Sequence, residues 1–233
     1  VDGAIGVAFS GGADSLLLLE LVQRYGRQAP VALHVHHGFG EGSDQAAEFC
    51  AAQARRLGVE LRTARAEVHD RSRGIEAGAR QVRRAALDEL WPAPALLAIG
   101  TQRDDVIEGA WLRLLAGSSA RFWSVPSAQD GRLIRPLIDM RRTEIRGLSP
   151  SALADPMNED SRYDRVALRQ SAVLDAIDPR GEVADAFARL GARVAALDGI
   201  ESVLPLYDMP LALRRFAVRR QLARLQPGWR PRN

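Results

Sequence analysis

The chain has 233 residues, of which 46% are hydrophobic and 26% charged, and its formal net charge is +3 at pH 7. This composition excludes a disordered chain, and the length predicts one large domain, or one domain with a small appendage. No apolar run approaches the roughly 18 residues of a membrane span, and no signal peptide is evident. We therefore expect a cytoplasmic protein without a membrane partner. The missing initiator Met predicts that the start of the sequence has been trimmed.

The first half of the chain alternates short apolar runs with amphipathic stretches. The apolar runs predict buried strands over residues 4–9, 31–36, 59–64 and 95–100. The amphipathic stretches predict helices over residues 14–25, 43–57, 75–90 and 104–115. This order is typical of the α/β class and predicts a doubly wound parallel sheet with right-handed crossovers. Ligands of such sheets lie at the carboxyl ends of the strands.

The pattern changes after Pro136, where prolines and polar residues indicate an irregular segment. From about residue 166 the sequence predicts a small all-helical region, which places a domain boundary near residue 165. The first domain is therefore predicted over residues 1–165 and the second over residues 166–233. The last predicted helix, Leu211 to Leu225, carries five arginines, Arg214, Arg215, Arg219, Arg220 and Arg224.

The strongest local signal follows the first predicted strand and opens the first helix. It reads Phe9-Ser10-Gly11-Gly12-Ala13-Asp14-Ser15. The glycines let the backbone approach a polyanion, and the N–H groups of the first helical turn and both serine hydroxyls can then bind phosphate. Asp14 suits an anion site only when a cation accompanies the phosphate, as in ATP·Mg²⁺. The alternative is a tight strand-to-helix turn with polar caps.

This segment resembles the SGGxDS signature of the pyrophosphate-loop (PP-loop) ATP pyrophosphatases. The chain contains no lysine, and all 32 basic residues are arginines, which excludes a P-loop NTPase with its phosphate-binding lysine. The resemblance implies an adenine-nucleotide alpha-hydrolase-like fold, with ATP and Mg²⁺ as cofactors. It also implies adenylation of a substrate oxygen and release of pyrophosphate.

Five further stretches resemble, in order, motifs of the tRNA(Ile)-lysidine synthetase family. Together with the loop they span about residues 4 to 175. Thiolating relatives need paired cysteines, and the single cysteine of this chain argues against them. The stretches are His34-Val35-His36-His37-Gly38, Gly74 to Arg80 with Arg83 and Arg84, Gln102 to Glu108, Leu133 to Leu137, and Asp155 to Arg169.

Four residues outside the loop are candidates for the site. Asp105 and Glu108 are three residues apart at a helix N-terminus, where they can hold Mg²⁺ or an ammonium group or accept a proton; acids favoured by the helix dipole are the alternative. Arg80 can bind phosphate or a cytosine edge, unless it is solvated. His36 is expected to line the nucleotide pocket rather than bind zinc. Cys50 is expected to be buried and inert.

The family resemblance implies a two-step reaction. The O2 atom of cytidine 34 in the CAU anticodon of tRNA(Ile) attacks ATP, and free L-lysine then replaces AMP to form lysidine. The loop from Ser10 to Ser15 would bind pyrophosphate, and Asp14 and Asp105 would hold Mg²⁺. Asp105 and Glu108 would orient the lysine amine. Arg80 would stabilise the negative charge that develops during the reaction. Residues 166–233 would contact the tRNA. A homodimer is possible on this sequence, and the oligomeric state is left open.

The chain departs from the family motifs at several positions. Gln102 replaces a histidine, Gly109 a threonine and Val166 an asparagine. Two alternatives therefore stay open. One is a PP-loop enzyme that adenylates a small molecule, and the other is a diverged relative that binds ATP or tRNA without turnover.

Overall fold

A computed structural model describes most of the first two-thirds of the chain and short parts of the rest. The described residues are 4–36, 41–66, 75–115, 126–153, 164–171, 173–183, 185–186 and 189–190. Contacts divide the chain into two compact units, residues 1–106 with 126–171, and residues 107–125 with 172–233. In the described part of the chain, no helix is both long and apolar enough to cross a membrane.

The first unit is built on a six-stranded sheet with the strand order β3-β2-β1-β4-β6-β5. β1 pairs in parallel with both β2 and β4, so Val7 lies between Ala32 and Ala98. β2 pairs in parallel with β3, and β4 with β6. The strands are β1 (Ala4–Ala8), β2 (Ala29–His36), β3 (Glu60–Arg65), β4 (Leu97–Ala98), β5 (Gln129–Asp130) and β6 (Leu133–Ile134).

Seven helices are found among the described residues. The four helices predicted in the first half are confirmed, and the second begins two residues earlier than predicted. The helices are α1 (Ala13–Tyr25), α2 (Glu41–Leu57), α3 (Ile75–Leu90), α4 (Arg103–Leu115), α5 (Arg142–Leu148), α6 (Asp164–Gln170) and α7 (Val173–Ile177).

The two faces of the sheet carry separate hydrophobic layers, as expected for a doubly wound fold. Alternate residues of a strand point to opposite faces. On one face the side chains of β1 pack with residues 16–19 of α1, with Cys50 of α2 and with Ile145 of α5. On the other face Leu33 of β2 packs with Trp91 at the end of α3. A Cβ atom at Gly6 would lie 2.8 Å from the Trp91 ring, so only glycine leaves room for this indole.

The sheet departs from the predicted all-parallel arrangement at one edge. β5 runs antiparallel to β6 and joins it through Gly131, which has a φ of 58°. The motif from Leu133 to Leu137 predicts a turn in this region. Each strand of the hairpin has two residues, which is too short to give a periodic apolar pattern. Hydrogen bonds from the Leu97 and Ile99 amides to the carbonyls of Arg132 and Ile134 hold β6 beside β4.

The second unit is described only in part. Asp178 is 5% exposed and accepts a hydrogen bond of 3.1 Å from the indole nitrogen of Trp111. It also accepts the backbone N–H of Val183 at 3.3 Å. The predicted arginine-rich helix from Leu211 to Leu225 lies outside the described residues. The predicted domain boundary near residue 165 therefore stays a prediction.

Candidate functional site

The phosphate loop connects β1 to α1 and is shaped by its own hydrogen bonds. The Ser15 hydroxyl oxygen accepts the backbone N–H of Ser10 at 3.2 Å, and the hydroxyl donates to the Gly12 carbonyl at 3.0 Å. Gly12 occupies the N-cap position of α1 and has no side chain to cap the first turn. The N–H groups of that turn and the positive end of the helix dipole therefore favour an anion at this end of α1.

Gly11 is required at its position in the loop. Its φ is +88°, in the left-handed region that side-chain-bearing residues rarely adopt. A Cβ atom there would lie 3.1 Å from Cδ1 of Phe49 and 3.4 Å from Sγ of Cys50, both on α2. The Gly11 carbonyl accepts a hydrogen bond of 3.1 Å from the Leu153 amide. The loop is thus packed against α2 and hydrogen-bonded to the segment that follows α5.

Two side chains hold the carbonyl oxygen of Phe9, the residue before the loop. Nδ1 of His34 lies 3.0 Å from this oxygen, and Sγ of Cys50 lies 3.8 Å from it. Because a carbonyl oxygen can only accept, Nδ1 of His34 carries the proton. Burial lowers the pKa of His34, so the ring is neutral and its Nε2 is an acceptor. Among the described residues Nε2 has no hydrogen-bond partner.

Cys50 is buried, as the sequence predicted. Its side chain is fully inaccessible, and burial raises the pKa of its thiol to about 12. A thiol with so high a pKa is protonated at neutral pH and is a poor nucleophile. Its hydrogen bond to the Phe9 carbonyl and its position beside Gly11 make it part of the support of the loop.

The structure brings Asp14 and Asp105 together at the carboxyl end of the sheet. Gly100 follows β4, and a Cβ atom there would lie 3.2 Å from the backbone of Asp14. This close approach places the start of α4 beside the first turn of α1. The pKa of Asp14 is raised to about 6, first by burial and second by the negative charge of Asp105.

This carboxylate pair fits a magnesium ion that accompanies ATP. A shared cation relieves the repulsion between two neighbouring carboxylates. Mg²⁺ usually binds one or two carboxylates and completes its shell with water and substrate phosphates. Within the described ranges no group of three or more histidine, cysteine or acidic side chains forms a metal site by itself. Two carboxylates as donors suit an ion that is held largely by the nucleotide.

The arginines of α5 are not among the predicted site residues. The Asp104 carboxylate accepts the backbone N–H of Arg142 at 2.7 Å and forms a salt bridge of 2.9 Å with Arg141. Nη2 of Arg142 lies 3.4 Å from Oδ1 of Asp105. The charges of Arg142, Arg146 and Arg169 oppose the rise in the pKa of Asp14. The sequence signal was the four-residue spacing of Arg142 and Arg146 after Pro136, which predicts one helical face.

Gln102 caps the helix that carries the acidic pair. Its Oε1 accepts the backbone N–H of Asp104 at 2.5 Å, and its own backbone N–H donates to Oδ2 of Asp105 at 3.4 Å. The side chain is completely buried. The Gln102 side chain therefore satisfies the Asp104 amide at the start of α4, at the position where the family motif has histidine.

The remaining predicted site residues are placed as follows. Nε2 of His36 lies 2.9 Å from Oδ1 of Asp44, which ties the end of β2 to α2. Glu108 follows Asp105 by one turn on α4 and is 2% exposed. Arg80 lies on α3, and its side chain is outside the described residues. The functional roles of all three stay predictions.

The fold and the loop define the class of protein. A family model described as the PP-loop domain matches residues 1–176. The chain belongs to the PP-loop family.

Its curated relatives point to one branch of that family. The chain is 36% identical over 244 residues to the tRNA(Ile)-lysidine synthase of Vibrio vulnificus (strain YJ016), covering 94% of this chain and 55% of the relative. It is 31% identical over 218 residues to the tRNA(Ile)-lysidine synthase of Pseudomonas fluorescens (strain Pf0-1), covering 88% and 49%. The chain thus spans about half the length of these relatives.

A solved structure supports the fold. The U34-tRNA thiolase NcsA from Methanococcus maripaludis, solved with its 4Fe-4S cluster, superposes with a TM-score of 0.59 and 20% sequence identity. The match covers 86% of this chain and 73% of that one. At this identity the likeness concerns the fold alone.

Proposed function

We propose that this chain is the ATP-using catalytic part of a tRNA(Ile)-lysidine synthetase. It would adenylate O2 of cytidine 34 in the CAU anticodon of tRNA(Ile), and free L-lysine would then displace AMP to leave lysidine. Membership of the PP-loop family and the similarity to enzymes with this name support the proposal. The function also gives a role to the five arginines of the predicted helix from Leu211 to Leu225, because phosphate contacts dominate nucleic-acid affinity.

The observation that carries the proposal is the position of Asp14 and Asp105 beside the open N-terminus of α1. An anion site and a carboxylate pair lie at the same strand ends. A phosphate site alone needs no acidic partner, whereas a site for ATP·Mg²⁺ needs both. Asp14 and Asp105 would hold the ion, which when bound supplies positive charge to the phosphates.

In the first step the loop from Ser10 to Ser15 would bind the leaving pyrophosphate. Cytidine O2 attacks the α-phosphorus, a new P–O bond forms, and the bond to the β-phosphate oxygen breaks. Backbone N–H groups at the start of α1 stabilise the negative charge on the departing group. We assign Arg80 the role of stabilising the negative charge that develops on the α-phosphate. The target base needs no extrusion from a duplex, because an anticodon loop is already single-stranded.

In the second step the ε-amine of lysine attacks C2 of the cytosine ring. The C2–O2 bond breaks, and AMP leaves with that oxygen on its phosphate. We assign Asp105 and Glu108 to orient the ammonium group of lysine and to accept the proton lost from the nitrogen. These assignments rest on the chemistry of the residues and on their matches to the family motifs.

The proposal is tested by measuring AMP and pyrophosphate release from ATP·Mg²⁺. Reactions contain or omit an unmodified tRNA(Ile) transcript with a CAU anticodon, and contain or omit labelled lysine. Release that needs the transcript, with label entering the tRNA, is the expected result. A transcript with a GAU anticodon and a chain carrying Asp14→Asn are matched controls. Neither should give AMP release or labelled tRNA.

Two other outcomes would overturn the proposal in different directions. Release of AMP that no tRNA stimulates would point to a small-molecule substrate. ATP binding without any release, in the presence of tRNA and lysine, would indicate a binding protein. Gln102 and Gly109 are the departures that favour this last outcome, so Gln102→His with Gly109→Thr should then restore no activity.

A further inference from the structure

α5 is fixed at both ends to elements that build the phosphate site. At its start, the Asp104 carboxylate accepts the backbone N–H of Arg142 at 2.7 Å. After its end, the Leu153 amide donates to the Gly11 carbonyl at 3.1 Å. Between these points Ile145 is fully buried in the hydrophobic layer that also contains the leucines of α1. The helix therefore has a defined position beside the phosphate loop.

Two arginines of α5 lie one helical turn apart. Arg142 and Arg146 are separated by four residues and so share one face of the helix. Nη2 of Arg142 lies 3.4 Å from the Asp105 carboxylate, and its side chain is 17% exposed. Arg146 is exposed to solvent. Both charges act on Asp14 in the first turn of α1, where they oppose the rise in its pKa.

The charge balance at this place changes when a nucleotide binds. Arg142 contacts Asp105, and the charges of Arg142 and Arg146 both act on Asp14. A magnesium ion would neutralise the carboxylates, and the arginines would then face the negative charge of the phosphates. A guanidinium fork matches phosphate oxygens in geometry and binds them through charge-assisted hydrogen bonds. Because the chain has no lysine, arginine is the only side chain that can supply this permanent charge.

We propose that Arg142 and Arg146 form an arginine arm that binds the β- and γ-phosphates of ATP and the pyrophosphate released from it. Arg142 exchanges its contact with Asp105 for a phosphate oxygen when the nucleotide binds. This inference rests on the proposed function, in which ATP is cleaved between the α- and β-phosphates.

The test is calorimetric titration of the chain with inorganic pyrophosphate and Mg²⁺, in the absence of tRNA and lysine. Arg142→Gln should weaken pyrophosphate binding about tenfold or more, because a charge-assisted hydrogen bond is lost. Arg146→Gln should weaken it less, by about threefold, because its exposed charge is screened by solvent. Arg142→Lys should fall between wild type and Arg142→Gln, since it keeps the charge but loses the fork.

Arg141→Gln is the matched control. Arg141 lies at the same helix end, but its guanidinium binds Asp104 and is absent from the charges that act on Asp14. Its loss should leave pyrophosphate affinity within about twofold of wild type. AMP, which lacks the β- and γ-phosphates, should bind wild type and both arm variants alike. The slope of affinity against salt concentration should decrease in Arg142→Gln and Arg146→Gln.

Thermal unfolding of each variant separates a lost contact from a lost fold. Arg146 is exposed, so Arg146→Gln keeps the test valid if Arg142→Gln unfolds. Equal pyrophosphate affinity in wild type, Arg142→Gln and Arg146→Gln would contradict the proposed arginine arm. A wild-type chain that binds no pyrophosphate would contradict it as well. Weakened pyrophosphate binding in a chain that never adenylates tRNA would support the arm and overturn only the proposed function.

Discussion

Nδ1 of His34 lies 3.0 Å from the carbonyl oxygen of Phe9, one residue before Ser10. A side chain from β2 thus holds the last peptide of β1 before the chain enters the phosphate loop. Cys50 of α2 reaches the same oxygen. The direction in which the loop leaves the sheet is therefore set by neighbouring elements and not by the loop alone.

Removal of this hydrogen bond should destabilise the protein and loosen the loop. We expect His34→Ala to lower the free energy of unfolding by about 1–3 kcal/mol, because a buried carbonyl loses a donor and a cavity forms. The measurement is urea unfolding, together with ATP affinity. His34→Asn is the informative partner, since its Nδ2 can take the place of Nδ1. If the asparagine variant loses as much stability and affinity as the alanine variant, this hydrogen bond does not position the loop.

Gly11→Ala and Gly147→Ala should have opposite effects on stability. Gly11 has a φ of +88° and Phe49 at contact distance, so alanine there should cost about 1–2 kcal/mol of unfolding free energy. Gly147 lies on α5 with open space around its Cα, so alanine should add about 0.5–1 kcal/mol. Chemical denaturation of both variants checks the pair. A stabilised Gly11→Ala chain would contradict the described loop conformation.

Asp14 should make stability depend on pH in the absence of Mg²⁺. The pKa of Asp14 is raised from 3.8 to about 6 in the folded chain, so the folded state binds this proton more tightly than the unfolded state. The favourable contribution is therefore complete below pH 3.8 and is lost as the pH rises through about 6. Asp14→Asn should become progressively more stable than wild type across this window and keep a constant advantage above it.

Urea unfolding in EDTA-containing buffers at several pH values measures this dependence. Asp139→Asn, at an exposed position, controls for the substitution itself. Addition of Mg²⁺ should reduce the advantage of Asp14→Asn, because a bound cation stabilises the ionised carboxylate. A stability difference that does not change with pH would show that Asp14 titrates alike in the folded and unfolded chain.

Cys50 should resist thiol reagents in the folded chain. Its side chain is inaccessible, and its thiol pKa is about 12. We expect only very slow reaction with a disulfide reagent under native conditions and rapid reaction of one equivalent in denaturant. Reaction of the folded chain then reports transient opening around α2 and the loop, and bound ATP should slow it further. Rapid and complete labelling of the native chain would contradict the burial of this thiol.

The sequence was sufficient for the parts of the fold that carry strong periodic signals. The apolar runs of β1 and β2 and the leucines of α1 identify a buried sheet and its first helix, and the glycines between them identify the loop. The nearness of Asp105 to Asp14 followed from the rule that strand ends of a parallel sheet meet at one edge.

Shorter elements could not be predicted in the same way. α5 has seven residues and no long apolar stripe, and its position depends on one carboxylate, Asp104, contributed by a distant part of the chain. The spacing of Arg142 and Arg146 predicts a shared helical face, but the nearness of Arg142 to Asp105 follows only from the three-dimensional contacts. The role of Gln102 was also hidden, because a family motif emphasises the missing histidine and not the cap that glutamine can supply.

Gly6 and Trp91 have a consequence for how this sequence can change over time. The indole fills the space that a side chain on Gly6 would need, and its nitrogen donates to the Leu96 carbonyl at 2.8 Å. Any larger residue at position 6 would first require a smaller one at position 91, and a smaller residue at 91 leaves a void until position 6 grows. The double step carries a smaller penalty than either single step, although Cδ1 of Leu33, 2.9 Å from a Cβ atom at position 6, must also shift. Positions 6 and 91 are therefore expected to co-vary among related sequences.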